Sequence, residues 1–281
     1  MKRQLGLVLG GGGVRCLAHL GVVQTLLDHG VRPDLITSAS TGTLMGILLA
    51  NGVSPAEIRH KLNQAPFRWG WFTPSLRHGG LFSQRNMIAL LNHFQVPERL
   101  ENLPIALHVM VTDLVNARPA VMCKGETITV ALASCALPGV YAPVPMGELV
   151  YGDGGVTNNV PADVCRRLVG PDGVVLTSSL EMDTSVPPTE IRTFLEVAYR
   201  SIYLPIVNER YRNFRQHSDV IIEPFAQCPL CFSQWREILR FHSPRAMRRH
   251  FDSGRKCMEL ALPRLQQLLE APVHRNEEEP A

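Results

Sequence analysis

LGLVLGGGGVRCLAHLGVVQTLLDHGVRPDLITSASTGTLMG, residues 5–46, is the stretch whose reading decides the fold. Leu5 to Leu9 is an apolar run of strand length. Gly10 to Gly13 follow it. Val14, Leu17, Ala18, Gly21, Val22, Leu26 and Leu27 are then spaced as one face of a helix, and Gly30 sits where a helix C-terminal cap belongs. A second short run, Asp34 to Thr37, meets Ser38-Ala39-Ser40-Thr41-Gly42, and a helical pattern resumes from Thr43 to about Ala50. Strand, turn, helix, strand, turn, helix predicts a parallel pair in an α/β sheet with both turns at the same carboxyl edge.

That edge is where open α/β sheets bind their ligands. The first turn offers a row of backbone N–H groups at a helix start, and glycine lets such a row come close to an oxygen carrying negative charge. The second turn sets Ser40, flanked by small residues, at a strand-to-helix corner. A serine beside an anion-binding glycine turn is what acyl transfer requires: the hydroxyl attacks a carbonyl while the amides hold the oxyanion.

Length and composition set the outer limits. With 281 residues, 45% of them hydrophobic, the chain suffices for one large α/β domain or two small ones. A net charge of +3 without a long Lys/Arg block gives no case for nucleic acid. It does allow transient contact with an anionic membrane surface, beside the plainer reading of ordinary surface charge. Seven cysteines, five of them single in apolar or helical stretches, suggest reduced thiols in a cytoplasmic protein. Cys228-Pro-Leu-Cys231 has no partner CxxC, so no metal site is expected. Met1 to Leu9 only faintly imitates a signal peptide, and no apolar run reaches membrane-spanning length.

Further along, Ser54-Pro55-Ala56-Glu57 carries the marks of a capped helix start running to about Gln64. Phe67, Trp69, Trp71 and Phe72 read either as core anchors or as an apolar lid over an acyl chain. Helices are expected over 81–94, 129–135, 161–168, 189–215 and 243–269, with Pro205 and Pro263 as kink points. Strands are expected over 107–114, 120–122, 174–178 and 219–222, with 138–145 irregular. A short strand also runs into Asp153 at a glycine turn. Alone, Asp-Gly is most often only a turn.

Gly10-Gly11-Gly12-Gly13-Val14-Arg15, Ser38-Ala39-Ser40-Thr41-Gly42 and Asp153-Gly154-Gly155 stand in a fixed order. Together with Ala133-Ser134, Pro138-Gly139, Pro143-Val144 and Asn158-Asn159-Val160-Pro161 they resemble the patatin-like phospholipase family, close to its bacterial members. The resemblance is strong over 5–168 and weaker to 269, where Asp252-Ser253-Gly254 resembles the family's closing helix. It implies a three-layer α/β/α sandwich with a central, mostly parallel sheet, and a Ser–Asp dyad without histidine. Ser40 would be the nucleophile and Asp153 the base. The amides around Gly11, Gly12 and Gly13 would form the oxyanion hole, Arg15 would anchor that loop, and Gly42, Gly154 and Gly155 would support the two turns. Burial at the glycine turn would raise the basicity of Asp153.

Two residues depart from the family pattern. Ser38 stands where the elbow of the family has glycine, and Cys16 stands where a glycine follows the arginine. Neither removes a reacting group, and both leave room for altered activity. The expected function is hydrolysis of a lipid or fatty-acyl ester by a carboxylesterase, lysophospholipase or phospholipase A type enzyme, with no cofactor and no calcium. Residues 1–270 are expected to form one domain and 271–281 a flexible tail. Three alternatives stay open. One is a silent lipid-binding module on the same fold. Another is a dinucleotide-binding domain, which needs an acidic residue at the end of the second strand. The last is a Ser-His-Asp triad drawing on His217, His242 or His250.

Overall fold

The computed structural model of the chain describes residues 3–64, 73–75, 79–181, 185, 188–194, 196–197, 200–201, 213–228 and 244–272. Its strands are β1 Leu5–Leu9, β2 Leu35–Ala39, β3 Ala106–Asp113, β4 Arg118–Met122, β5 Val144–Met146, β6 Leu149–Asp153, β7 Val174–Ser178 and β8 Val220–Ile222. Its helices are α1 Leu17–Asp28, α2 Thr41–Ala50, α3 Pro55–Asn63, α4 Arg85–His93, α5 Thr127–Ser134, α6 Gly155–Asn158, α7 Ala162–Val169, α8 Asn213–His217 and α9 Pro244–Glu270. A 3-10 turn over Gly13–Cys16 leads into α1.

The expected β1–β2 pair is parallel, with Gly6 beside Leu35 and Leu9 beside Ser38. β7 flanks β1 and β8 flanks β7, both parallel, and β3 lies parallel to β2. β1, β2 and β7 are buried at every position, as near-continuous apolar runs should be when both sheet faces are covered. Leu5, Leu7 and Leu9 pack with α1, α2 and α9 in the main core. Val8 packs oppositely with Val175, Cys165 and Val169 of α7 and Phe214 of α8. These are the three layers of an α/β/α sandwich around a mostly parallel sheet. α1 and α9 meet with almost no gap: a Cβ on Gly21 would lie 2.0 Å from Phe251 O, and one on Gly254 would lie 2.0 Å from Ala18 O.

The edges of β3 place the site. β4 covers one edge antiparallel from Asp113 back to Val109. The other edge is shared. β2 takes it in parallel as far as Met110, which faces Ala39, and β6 takes it antiparallel from Val111, which faces Asp153. The two strands therefore end against one another on a common neighbour, which sets the residue after Ala39 beside Asp153.

Several expectations shift on contact with the structure. Ser54 Oγ accepts from Glu57 N at 3.1 Å as the cap predicts, but Glu57 pairs with Lys61 Nζ at 2.8 Å instead of reaching back. α4 begins at Arg85 rather than Leu81, because Phe82 is drawn into bridges with Pro74 and Tyr141. The irregular stretch contains β5, which turns at Gly147 (φ 62°) to pair with β6. α9 runs through Pro263. The aromatic run 67–72, most of the helix expected over 189–215, Cys231, His242 and the tail from 273 lie outside the described residues. Among the described residues no helix is long and apolar enough to cross a membrane.

Candidate active site

Ser40 stands between β2 and α2 with φ 50° and ψ −133°, a backbone conformation that L-residues with a Cβ rarely adopt. The strain points its hydroxyl out of the corner. Ser40 Oγ donates to Asp153 Oδ2 at 2.7 Å across 113 residues of chain. Asp153 is 1% exposed, and its Oδ1 accepts from Gly155 N at 2.7 Å, which orients the carboxylate at the end of β6. Glycines make the approach possible on both sides. A Cβ on Gly42 would lie 2.3 Å from Leu9 O, and one on Gly154 would lie 2.1 Å from Met110 O.

A chain of hydroxyls holds the elbow. Ser134 Oγ, at the end of α5, donates to Met110 O at 2.8 Å and accepts from Ser40 N at 3.0 Å. Its single proton is thereby used, so Thr43 Oγ1 at 2.9 Å must donate to it. Ser38 Oγ in turn donates to Thr43 Oγ1 at 3.0 Å. The serine that replaces a glycine in the elbow is fully buried and finds its local partner here. Ser134→Ala strands a strained backbone N–H, and a loss of about 1–3 kcal/mol is expected. Urea unfolding reads this directly. A wild-type midpoint for the variant would mean that Ser134 does not hold the elbow.

The glycine turn is held from three sides. Gly11 N donates to Asn159 O at 3.0 Å, and Asn159 Nδ2 donates to Gly11 O at 3.2 Å. The Gly11 amide is therefore committed within the fold, which removes it from the three expected oxyanion donors. Gly12 N makes only a long contact, 3.4 Å to Thr41 Oγ1, and Gly13 is exposed with φ 60°. Arg15 Nε donates to Gly12 O at 3.0 Å, and its own amide N lies 3.3 Å from the same oxygen. In a trans peptide the N–H points opposite to the C=O, so gripping Gly12 O fixes the direction of the Gly13 N–H.

His19 has no part in the motifs, yet it ties the turn to the sheet. It is fully buried on α1, with Nε2 2.8 Å from Gly10 O and Nδ1 2.8 Å from Ser178 Oγ. Gly10 O can only accept, so Nε2 carries the proton and Nδ1 accepts from Ser178. Burial pushes its pKa down to about 4, against the bond to Gly10. The signal for it in sequence was a lone polar residue inside the apolar stretch Leu17 to Val23. Cys16, where the family has glycine, is 4% exposed, and burial raises its thiol to about 12, so it packs as an apolar group.

The rival readings meet the geometry differently. Asp34 sits at the amino end of β2, where its Oδ2 accepts from Leu5 N at 2.6 Å, far from the carboxyl edge where a ribose-binding acid belongs. His250 is 4% exposed with Nδ1 3.3 Å from Val14 O, and His217 ends α8 on the other face of the sheet. In a triad a histidine stands between serine and carboxylate. Here Ser40 and Asp153 touch directly.

Fold and site together define a class: an α/β sandwich that sets a serine hydroxyl on a buried carboxylate at a strand-to-helix elbow. The family model for patatin-like phospholipase matches residues 7–166. The chain belongs to the patatin-like phospholipase family. An uncharacterized NTE family protein of Mycobacterium tuberculosis is 31% identical over 191 residues, 66% of this chain and 31% of that protein. The neuropathy target esterase sws of Drosophila melanogaster is 26% identical over 189 residues, 65% of this chain and 13% of that protein. The chain thus spans about a third or less of the length of these curated relatives. Among solved structures, VipD from Legionella pneumophila matches with a TM-score of 0.49 and 14% identity, covering 92% of this chain and 67% of that one.

Proposed function

We propose that the chain is a serine acyl-ester hydrolase that cleaves lipid or fatty-acyl esters through a Ser40–Asp153 dyad. The observation that carries this is the 2.7 Å hydrogen bond from a half-buried, backbone-strained serine to a buried carboxylate, beside a glycine turn. Membership of a family named for phospholipases, and a relative named an esterase, agree with it.

In this reading Asp153 Oδ2 takes the Ser40 proton as Oγ attacks the ester carbonyl. The oxyanion that forms is held by the amides of Gly12 and Gly13, with the N-terminus of α2 adding its positive dipole end. Collapse breaks the ester C–O bond, and the leaving alcohol collects the proton from Asp153. Water then attacks the acyl-Ser40 ester, giving its proton to Asp153, which returns it to Ser40 as the fatty acid departs. In this reading Asp153 serves as the base of both half-reactions. The test is hydrolysis of p-nitrophenyl esters of graded acyl length. Turnover that depends on Ser40 supports the reading and begins to define the acyl groove. Absence of turnover above a Ser40→Ala background for every chain length counts against it and favours the silent lipid-binding module.

A further inference from the structure

A second feature lies at the same sheet edge. α9 begins at the carboxyl edge, because His250 lies against Val14 of the glycine turn while Arg3, before β1, bonds Ala271 O and Pro272 O at the other end. Between the first turns of α9 and the length of α3 is a surface cavity of about 450 Å³, lined by Ala56, Arg59, His60, Asn63, Pro244, Arg245 and Arg248. Among the described residues that line it are three arginines and a histidine, and no carboxylate. It opens on the N-terminus of a 27-residue helix, whose dipole also favours an anion. Arg59 is held in place by stacking over the Phe251 ring, 4.5 Å to the centroid.

We propose that this cavity binds the phosphate of an anionic lipid headgroup and so seats the carboxyl edge on a membrane surface. The guanidinium fork matches phosphate geometry, and three of them converge here with amide and imidazole donors beside them. A lipid is favoured over a free anion because the same edge exposes apolar side chains. Leu114 and Val115, just beyond the carboxyl end of β3, are 44% and 57% exposed. Cationic cavity and apolar loop tip are the two contacts that peripheral binding combines. The choice of a lipid carrier rests on the hydrolase reading above, while the anion site itself does not.

The experiment is vesicle pelleting with the Ser40→Ala chain, so that binding is read without turnover. Vesicles are phosphatidylcholine alone or phosphatidylcholine with phosphatidic acid, and inorganic phosphate is titrated separately. Partitioning is expected onto the anionic vesicles and not the neutral ones. Each arginine contributes roughly fivefold at such a surface, so Arg59→Gln/Arg245→Gln/Arg248→Gln should lose on the order of a hundredfold. A control that removes equal charge elsewhere, Arg99→Gln/Arg167→Gln/Arg264→Gln, should keep most of it. Three results each overturn the proposal: equal losses for both triple variants, wild-type partitioning by the cavity variant, or no preference for phosphatidic acid. Saturable binding of inorganic phosphate without vesicle binding would leave a free-anion site and overturn the lipid assignment. Thermal unfolding of each variant confirms that the chain stays folded. Absence of ester hydrolysis by the wild-type chain, with vesicle binding retained, would sink the hydrolase reading and leave this site standing.

Discussion

Ser40→Ala is expected to leave no ester hydrolysis above background, and Asp153→Asn to fall by on the order of 10⁴-fold or more in kcat. The two losses have different causes. Alanine removes the only atom that forms the acyl-enzyme. Asparagine keeps the volume and can still accept from Gly155 N through its carbonyl oxygen, which the 2.7 Å contact to Oδ1 requires. Its NH₂ group then faces Ser40 Oγ where Oδ2 stood, and the bond reverses: the amide donates and the serine accepts. The serine proton has nowhere to go. Because the groups act as one unit, the double variant should be no worse than Ser40→Ala. Measurement is kcat on a p-nitrophenyl ester with folding checked by circular dichroism. Substantial turnover in Asp153→Asn would show that another group takes the proton, and would reopen the triad reading.

Stability should fall as pH drops through the titration of His19 in the unfolded chain. The imidazole is neutral in the fold, with a pKa near 4, against 6.5 when exposed. Between these values the unfolded chain binds the extra proton. The stability contribution is therefore fully present above pH 6.5 and lost progressively as pH falls towards 4. The loss is about 2 kcal/mol by pH 5 and about 3 kcal/mol in full. Other groups contribute to acid unfolding, so the measurement is a difference. Urea unfolding of wild type and His19→Gln at neutral pH and at pH 5 should converge, since glutamine has no proton to refuse. The variant is less stable at neutral pH, because a single amide does not reproduce both contacts, to Gly10 O and Ser178 Oγ. A gap between the two chains that stays constant with pH would show that His19 is not the group excluded from protonation.

His19 and Ser134 mark what was hard to read in one dimension. Each is a polar residue in an apolar run, and its partners lie in other elements: Ser178 on β7, Met110 on β3 and Ser40 after β2. Whether such a residue is a satisfied core group or a positioning group depends on what stands opposite. Only the packed sheet supplies that. Gly11 shows the converse. Its place in the motif marked it as an oxyanion donor, but the loop after Asp153 folds back so that Asn159 O takes its N–H.

The local pattern of residues 5–46 determined the parallel β1–β2 pair, the two turns at one edge and the serine at the corner. These follow from short-range physics: apolar periodicity, glycine at turns and a helix pattern restarting at once. The shared neighbour of Ser40 and Asp153 was decided in three dimensions. It exists because β3 hands one edge from parallel β2 to antiparallel β6 between Met110 and Val111. Strand pairings between residues so far apart in the chain leave no local trace in composition or spacing, since their register is set by which edge remains open once the central strands have packed. The cationic cavity is of the same kind. Arg59 and Arg248 are ordinary surface arginines in sequence, and they become one site only because α3 and α9 lie side by side.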